Sequence, residues 1–300
     1  MSVVEFTIKD TILTYKQINP PDFQRGINII NLTVEALKNE HFPDNLELQW
    51  VVFAGDTPYD VDLVLQQRLR LKDHYKHIFS IAEPIGNSHK AYPCFMFDSW
   101  QECGIPDYEK MIDLMEEKGI TTPYLYDKIF YRGAPSIPKS RFCALGQCYN
   151  WIDAFETYNL SIRQAFLHCK HRIELSEHVK WKYLIDIGGG KYGDGYSARL
   201  KAFMFSNRVV LIQHRPYGDM TYDIFKDGVN CIFIKEDFSD LEEKYKWIES
   251  KGEEFQKNMA QNLLNDGRLN CRRINAYERI CSIVRALIES ENLLKEKLKH

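Results

Sequence analysis

Five glycines fall within the eight positions from Gly188 to Gly195, and Tyr196, Ser197 and Arg199 follow at once. Glycine lets a backbone turn sharply and leaves space for a ligand to approach its amides. Free N–H groups at a helix entry, a serine hydroxyl and an arginine fork all suit phosphate oxygens. Gly190, Gly195, Tyr196, Ser197 and Arg199 therefore read as the seat of a nucleotide diphosphate, with Lys191 either a further cation or a solvated side chain. A second arginine, Arg132, stands before Gly133 at a strand exit, suited to the same diphosphate or to a surface ion pair. One carboxylate has a different prospect. Asp56 follows the apolar run VVFAG, where it either takes a proton from a hydroxyl as general base or caps the Thr57-Pro58 turn.

Rival patterns share these stretches. Gly188, Gly190 and Gly193 spell G-x-G-x-x-G after a strand, the fingerprint of dinucleotide binding in a nicotinamide or flavin enzyme. That fingerprint calls for an acid at the end of the next strand to hold a ribose, and here the strand ends Gln213-His214. A plain structural turn is the other alternative. Asp60-Val61-Asp62 is a D-x-D, the pair that holds a divalent cation on a nucleotide sugar in GT-A enzymes, but both acids also suit the first turn of a helix. His74-x-x-His77 and His168-x-x-His171 have metal spacing without a partner cluster. Tyr59, Tyr92 and Trp100 offer rings for a sugar face, core packing being the plainer role.

These groups need rigid elements to hold them. The spacing predicts a strand over Lys182–Ile187, the turn Gly188–Gly195, a short helix over Tyr196–Phe205 and a strand over Arg208–Gln213. Upstream, helical spacing marks Ile27–Asn39, a strand covers Leu46–Ala54, a helix Val61–Leu71, and a second strand His77–Ala82. The aromatic run Ala91–Trp100 is expected to line a cleft or pack between domains. A helix follows over Tyr108–Lys118 and a strand over Lys128–Arg132, while Arg141–Trp151 has no settled pattern. Ser239 with Glu242 forms a capping box that starts a helix ending near Ser250. Further helices span Glu253–Leu264 and the C-terminal stretch, whose apolar stripe runs Ile274, Tyr277, Ile280, Val284, Leu287. The alternation argues for α/β layers with parallel sheets in both halves, the boundary falling within Gly133–Trp151: residues 1–140 as the acceptor side and 141–300 as the nucleotide side.

Composition narrows the field. The chain has 300 residues, 44% hydrophobic and 27% charged, with a formal net charge of -3, and this lack of basic excess speaks against nucleic acid as a partner. No apolar run approaches the ~20 residues that cross a bilayer, so no transmembrane segment is expected. The opening MSVVEFTIKD lacks a secretory signal, and the ending KEKLKH lacks a retention signal. Eight cysteines without C-x-x-C spacing read as free thiols in a reducing, cytoplasmic setting.

The stretches YLIDIGGG, GYSARLKAFMFSNRVVLIQ and DIFKDGVNCIFIKEDFSDLEEKYKWI resemble glycosyltransferase family 90, which includes CAP10-like capsule proteins and protein O-glucosyltransferases. The likeness covers roughly Leu46 to Leu264. VVFAGDTPY is similar to the family's strand followed by (Arg/Gly)-Asp-x-Pro, whose Asp is the base, and FYRGAPS and Tyr-Ser-x-Arg are similar to its two arginine segments. Resemblance implies a GT-B arrangement, two Rossmann-like domains with parallel sheets facing across a cleft and a last helix that packs back on the first. It implies an inverting transfer of xylose or glucose from UDP-xylose or UDP-glucose to an oligosaccharide or glycoprotein hydroxyl, with no divalent metal required. Asp56 would be the base, with Arg132, Gly133, Arg199 and the glycine turn holding the diphosphate. The turn is longer than the family's usual loop, which leaves open the amides that meet phosphate. A metal-dependent GT-A enzyme using Asp60 and Asp62, and a nucleotide-sugar-binding pseudoenzyme, are the alternatives. The chain looks like a short cytosolic member, as from a bacterium or a large virus.

Overall fold

The computed structural model describes residues 2–19, 23–59, 63–133, 136–156, 173–189, 195 and 197–297. Two compact units emerge, Met1–Tyr108 with Arg272–His300, and Glu109–Cys271. The division lies earlier than the 133–151 expected from sequence. The reason is strand β6 (Tyr126–Gly133), which hydrogen-bonds between two strands of the second unit and so belongs to its sheet.

In the first unit, β1 (Val3–Lys9), β2 (Ile12–Asn19), β3 (Glu47–Phe53) and β4 (Ile78–Ser80) form a sheet in the order β2-β1-β3-β4. β1 runs antiparallel to both β2 and β3, and only β3 and β4 are parallel. This sheet is mixed, which corrects the expectation of parallel strands in both halves. Its antiparallel part starts from a two-residue hairpin turn in which Asp10 and Thr11 take positive φ, 48° and 68°. Phe6 of β1 stacks on Trp50 of β3 at 5.2 Å between ring centroids. The helix Phe23–Leu37 packs against the final helix Arg273–Lys297, where Cys281 Sγ meets the Ala36 carbonyl at 3.3 Å. Shorter helices at Leu63–Leu69 and Leu71–His74 and the two-residue strand β5 (Glu83–Pro84) complete the descent from β3. The aromatic run proves to be core: Tyr92, Cys94, Phe95, Met96 and Phe97 are all buried.

The second unit holds five parallel strands in the order β11-β9-β8-β6-β7, where β7 is Ile152–Glu156, β8 Trp181–Asp186, β9 Val209–Gln213 and β11 Ile232–Ile234; β10 (Tyr217–Gly218) is a short strand outside that sheet. Every residue of β9 is buried, and β8 is buried but for Lys182, as continuous apolar strands covered on both faces must be. Helices Ile137–Cys148, Leu241–Ser250 and Gly252–Asn270 belong to the same unit. Its core includes Ile129, Tyr131, Phe142, Ile185, Leu211 and Met259. Arg208 ties the end of helix Tyr108–Thr121 to this sheet, donating to the carbonyls of Gly119 and Thr122 at 2.9 and 2.6 Å and of Val179 at 2.7 Å.

Two local expectations differ. The stretch Arg141–Trp151 is mostly helix, begun at Ile137 with a proline in its first turn. The Ser239–Glu242 capping box is not formed, because Ser239 N–H donates to Asp237 Oδ1 at 3.0 Å, and the Asp240 carboxylate turns back to accept from Lys235 N–H at 2.8 Å. No helix among the described residues is long and apolar enough to cross a membrane.

Candidate functional site

The carboxyl ends of β6 and β8 bring together most of the residues expected at the diphosphate. In open α/β sheets, crevices outside the strands' carboxyl ends are where ligands bind. β8 ends on Asp186, and the glycine turn starts two residues later. Gly188 N–H donates to Gln213 Oε1 at 3.0 Å. Gly189 and Gly195 exchange both backbone bonds, N to O, at 2.9 and 3.2 Å. Gly190, Lys191 and Tyr196 lie outside the described residues. The amides of Gly188, Gly189 and Gly195 are thus used by the protein itself, which narrows the cradle expected from the glycines. The helix expected over Tyr196–Phe205 is one turn, Leu200–Phe203, too short for a macrodipole to add much. Ser197 is also differently employed: its hydroxyl donates to Asp186 Oδ1 at 2.6 Å, facing its proton to the sheet end.

Arg199 is held at several points. Its Nη1 donates to the Arg132 carbonyl at 2.6 Å, and its guanidinium lies over the Tyr131 ring at 5.2 Å. Gly133 makes this approach feasible. A Cβ there would fall 2.1 Å from Tyr131 Oη and 3.1 Å from Arg199 Nη2. Burial raises the pKa of the Tyr131 phenol, against the pull of Arg199, so it stays protonated beside that guanidinium.

Arg132 is placed otherwise than the sequence suggested. Strand alternation sends its side chain to the face opposite Tyr131, where it lies over Phe130 and Phe155 at 4.6 Å each. There Nη2 pairs with Asp153 Oδ1 at 2.7 Å, and Nη1 donates to the carbonyls of Tyr131 and Asp153, both at 2.9 Å. Trp181 Nε1 donates to the other oxygen of Asp153 at 2.8 Å. Both terminal nitrogens of Arg132 are engaged within the second unit, and what Arg132 gives Arg199 is its carbonyl. Nothing in the sequence around Asp153 signalled this partner, because the pairing depends on the parallel register of β6 and β7.

Asp56 belongs to the first unit, three residues past β3, and its side chain is about one-third exposed. Among the described residues its polar partner is Arg25, whose Nη1 donates to Oδ1 at 3.0 Å while the guanidinium lies over Phe95 at 4.6 Å. Sequence reasoning missed Arg25, which sits 31 residues away on the helix Phe23–Leu37. Two of the rings considered for a sugar face are core instead. Tyr92 is buried with its hydroxyl on Thr33 Oγ1 at 2.8 Å, and Tyr59 is buried with its hydroxyl accepting from Leu71 N–H at 3.2 Å. His77 faces Glu291 at 3.1 Å, and no group of three or more potential ligands stands together among the described residues. Asp60, Asp62, His168 and His171 lie outside those residues.

Comparison with known families matches residues 33–272 to the model described as glycosyl transferase family 90. No curated protein matches the sequence. Among solved structures, HepE of Anabaena in complex with UDP and glucose is similar at a TM-score of 0.38 and 10% identity, over 59% of this chain and 52% of that one, so the chain spans about half of it. The same protein with UDP-glucose gives a TM-score of 0.40 and 12% identity, over 86% and 68%. A glycosyltransferase from Rickettsia africae gives 0.42 and 8%, over 92% and 84%. At such scores no residue of this chain takes a role by superposition.

Proposed function

Because the chain belongs to glycosyl transferase family 90, we propose that it moves xylose or glucose from a UDP-sugar to a hydroxyl of a glycan or glycoprotein, in a GT-B arrangement, with inversion and without a divalent metal. The observation that carries this reading is Arg199: a guanidinium pinned by a backbone carbonyl, stacked on a tyrosine and admitted by Gly133 at the carboxyl end of a parallel sheet. A planar fork held in that way meets a diphosphate without reorganising, and its grip strengthens as charge builds on the departing UDP. Arg132 supports it through the carbonyl, and Gly133 by leaving room. Gly190 and Tyr196 are further phosphate contacts in this reading. Ser197 serves the same site through its bond to Asp186.

Asp56 takes the proton of the acceptor hydroxyl. Inversion needs the attacking oxygen on the ring face opposite the leaving diphosphate, and a base within hydrogen-bond reach of it. Arg25 fixes Oδ1 and so sets the direction of the carboxylate. The setting is cytoplasmic, in line with cysteines that stand as free thiols in both units.

The test is a panel of UDP-sugars with purified protein, read by UDP release and product mass. Turnover of UDP-xylose or UDP-glucose that persists in EDTA is expected. Strict loss with chelator would move the chemistry to Asp60 and Asp62, and binding without any turnover would make the protein a nucleotide-sugar binder. Asp56→Asn should keep UDP affinity and lose transfer by at least ~100-fold.

A further inference from the structure

Asp186 stands at the end of β8 with 1% of its surface exposed, and two donors from different parts of the chain meet it. Ser197 Oγ donates to Oδ1 at 2.6 Å, and Arg215, also buried, pairs with Oδ2 through Nη2. The other amino group of Arg215, Nη1, has no hydrogen-bond partner among the described residues, and the guanidinium also lies over the Tyr222 ring at 5.9 Å. Neither charge faces solvent, and neither is the group that the donor-site reading uses. A buried pair of this kind is a poor source of stability, since desolvation consumes much of its attraction, and such pairs are best attested where they specify one arrangement.

The segment they specify leads straight to Arg199. Gly195 is fixed by its backbone exchange with Gly189, Ser197 is fixed by Asp186, and Arg199 follows two residues later with its guanidinium on the Arg132 carbonyl. We propose that Asp186 and Arg215 are positioning residues for donor binding: the pair holds the Ser197 hydroxyl, which sets the turn from Ser197 to Arg199 and delivers the Arg199 guanidinium to the diphosphate already oriented. The inference rests on the donor-site reading of Arg199. Neither Asp186 nor Arg215 touches the donor. Ser197 acts through Asp186 rather than as a phosphate ligand, because its proton is given to that carboxylate. Removing the tie leaves Arg199 present but less often in the receiving pose, a preorganisation loss that appears in donor affinity.

The full chain is compared with three variants: Ser197→Ala, the paired change Asp186→Leu with Arg215→Met (which leaves neither charge buried alone and no acceptor for Ser197), and the triple. UDP Kd is read by calorimetry, donor KM and kcat by transfer, and folding by near-UV dichroism. Ser197→Ala and the paired change should each raise UDP Kd about tenfold, with the loss falling on donor KM more than on kcat. The triple should be no weaker than either, because all three break one tie. Effects that multiply in the triple, or a folded paired variant with wild-type UDP Kd, overturn the proposal. Should the paired variant not fold, Ser197→Ala alone decides, an unchanged Kd being the negative result. Arg199→Ala separates the two readings. Unchanged UDP binding there removes the donor site itself, whereas strong loss there with none in Ser197→Ala removes only the positioning role.

Discussion

Arg132 and Arg199 look alike in sequence, each close to glycine at a strand or turn exit, yet they do different work. One lies in a carboxylate's grip between two phenylalanines; the other has a carbonyl and a tyrosine ring to hold it. Arg132→Met should therefore cost about 2 kcal/mol in urea unfolding, since it strips Asp153 of its ion pair, while UDP Kd changes far less than in Arg199→Ala. A second residue-scale consequence concerns acid. His178 lies against Phe130 at 4.6 Å, and burial first, then the charge of Arg199 and finally that of Arg132 hold its pKa down to about 3. The folded state keeps it neutral, while the unfolded chain takes up a proton below about 6.5, the ordinary value for the side chain. Its contribution is thus intact above that pH and is lost as pH falls toward 3, at about 1.4 kcal/mol per pH unit. His178→Phe should flatten the plot of unfolding free energy against pH between 6 and 4. An equally steep limb in the variant would show that other groups set it.

Among elements, those with strong periodicity or continuous apolar runs were legible, and those governed by a single dihedral or a distant partner were not. β8, β9 and the helices Gly252–Asn270 and Arg273–Lys297 follow their patterns to within a few residues, except that the helix at Gly252 runs on to Asn270. The β1–β2 hairpin went unread because its turn is Asp10-Thr11, with no glycine or asparagine to announce positive φ. Pro138 in the first turn of Ile137–Cys148 was an available signal for that helix, proline being favoured there. At the site, the glycine turn and Arg199 were readable as residue types. The commitments of Ser197, Gly195 and Arg132 were not, because each bonds to a partner set by sheet register or by loop closure. The hairpin carries a test of its own. A β-branched residue at φ 68° is strained, so Thr11→Gly should stabilise the protein by about 1 kcal/mol in the same urea titration, unless unfolded-state entropy cancels the gain.

On the scale of the whole molecule, the residues proposed for the reaction are divided unequally between the two units. Arg199, Gly133, Asp186 and Arg215 all come from Glu109–Cys271, whereas Asp56 comes from the other unit. The isolated 109–271 segment has its own sheet and core, so it should bind UDP by calorimetry within about tenfold of the full chain and transfer nothing. Failure of a folded fragment to bind would mean that residues of the other unit hold the nucleotide.

The first unit is written in two distant pieces: helix Phe23–Leu37 packs on a helix that begins only at Arg273, and Arg285 reaches Glu40 at 2.6 Å. On a ribosome, the early piece must therefore emerge and wait while the entire intervening segment is made. At a usual ~5–20 residues per second that delay lasts on the order of ten seconds or more, during which the early helix lacks the final helix that packs on it. Nascent chains stalled before residue 272 should be cut readily by protease within their first hundred or so residues and resist it further along. The segment made in between is expected to gain its shape before the piece that precedes it.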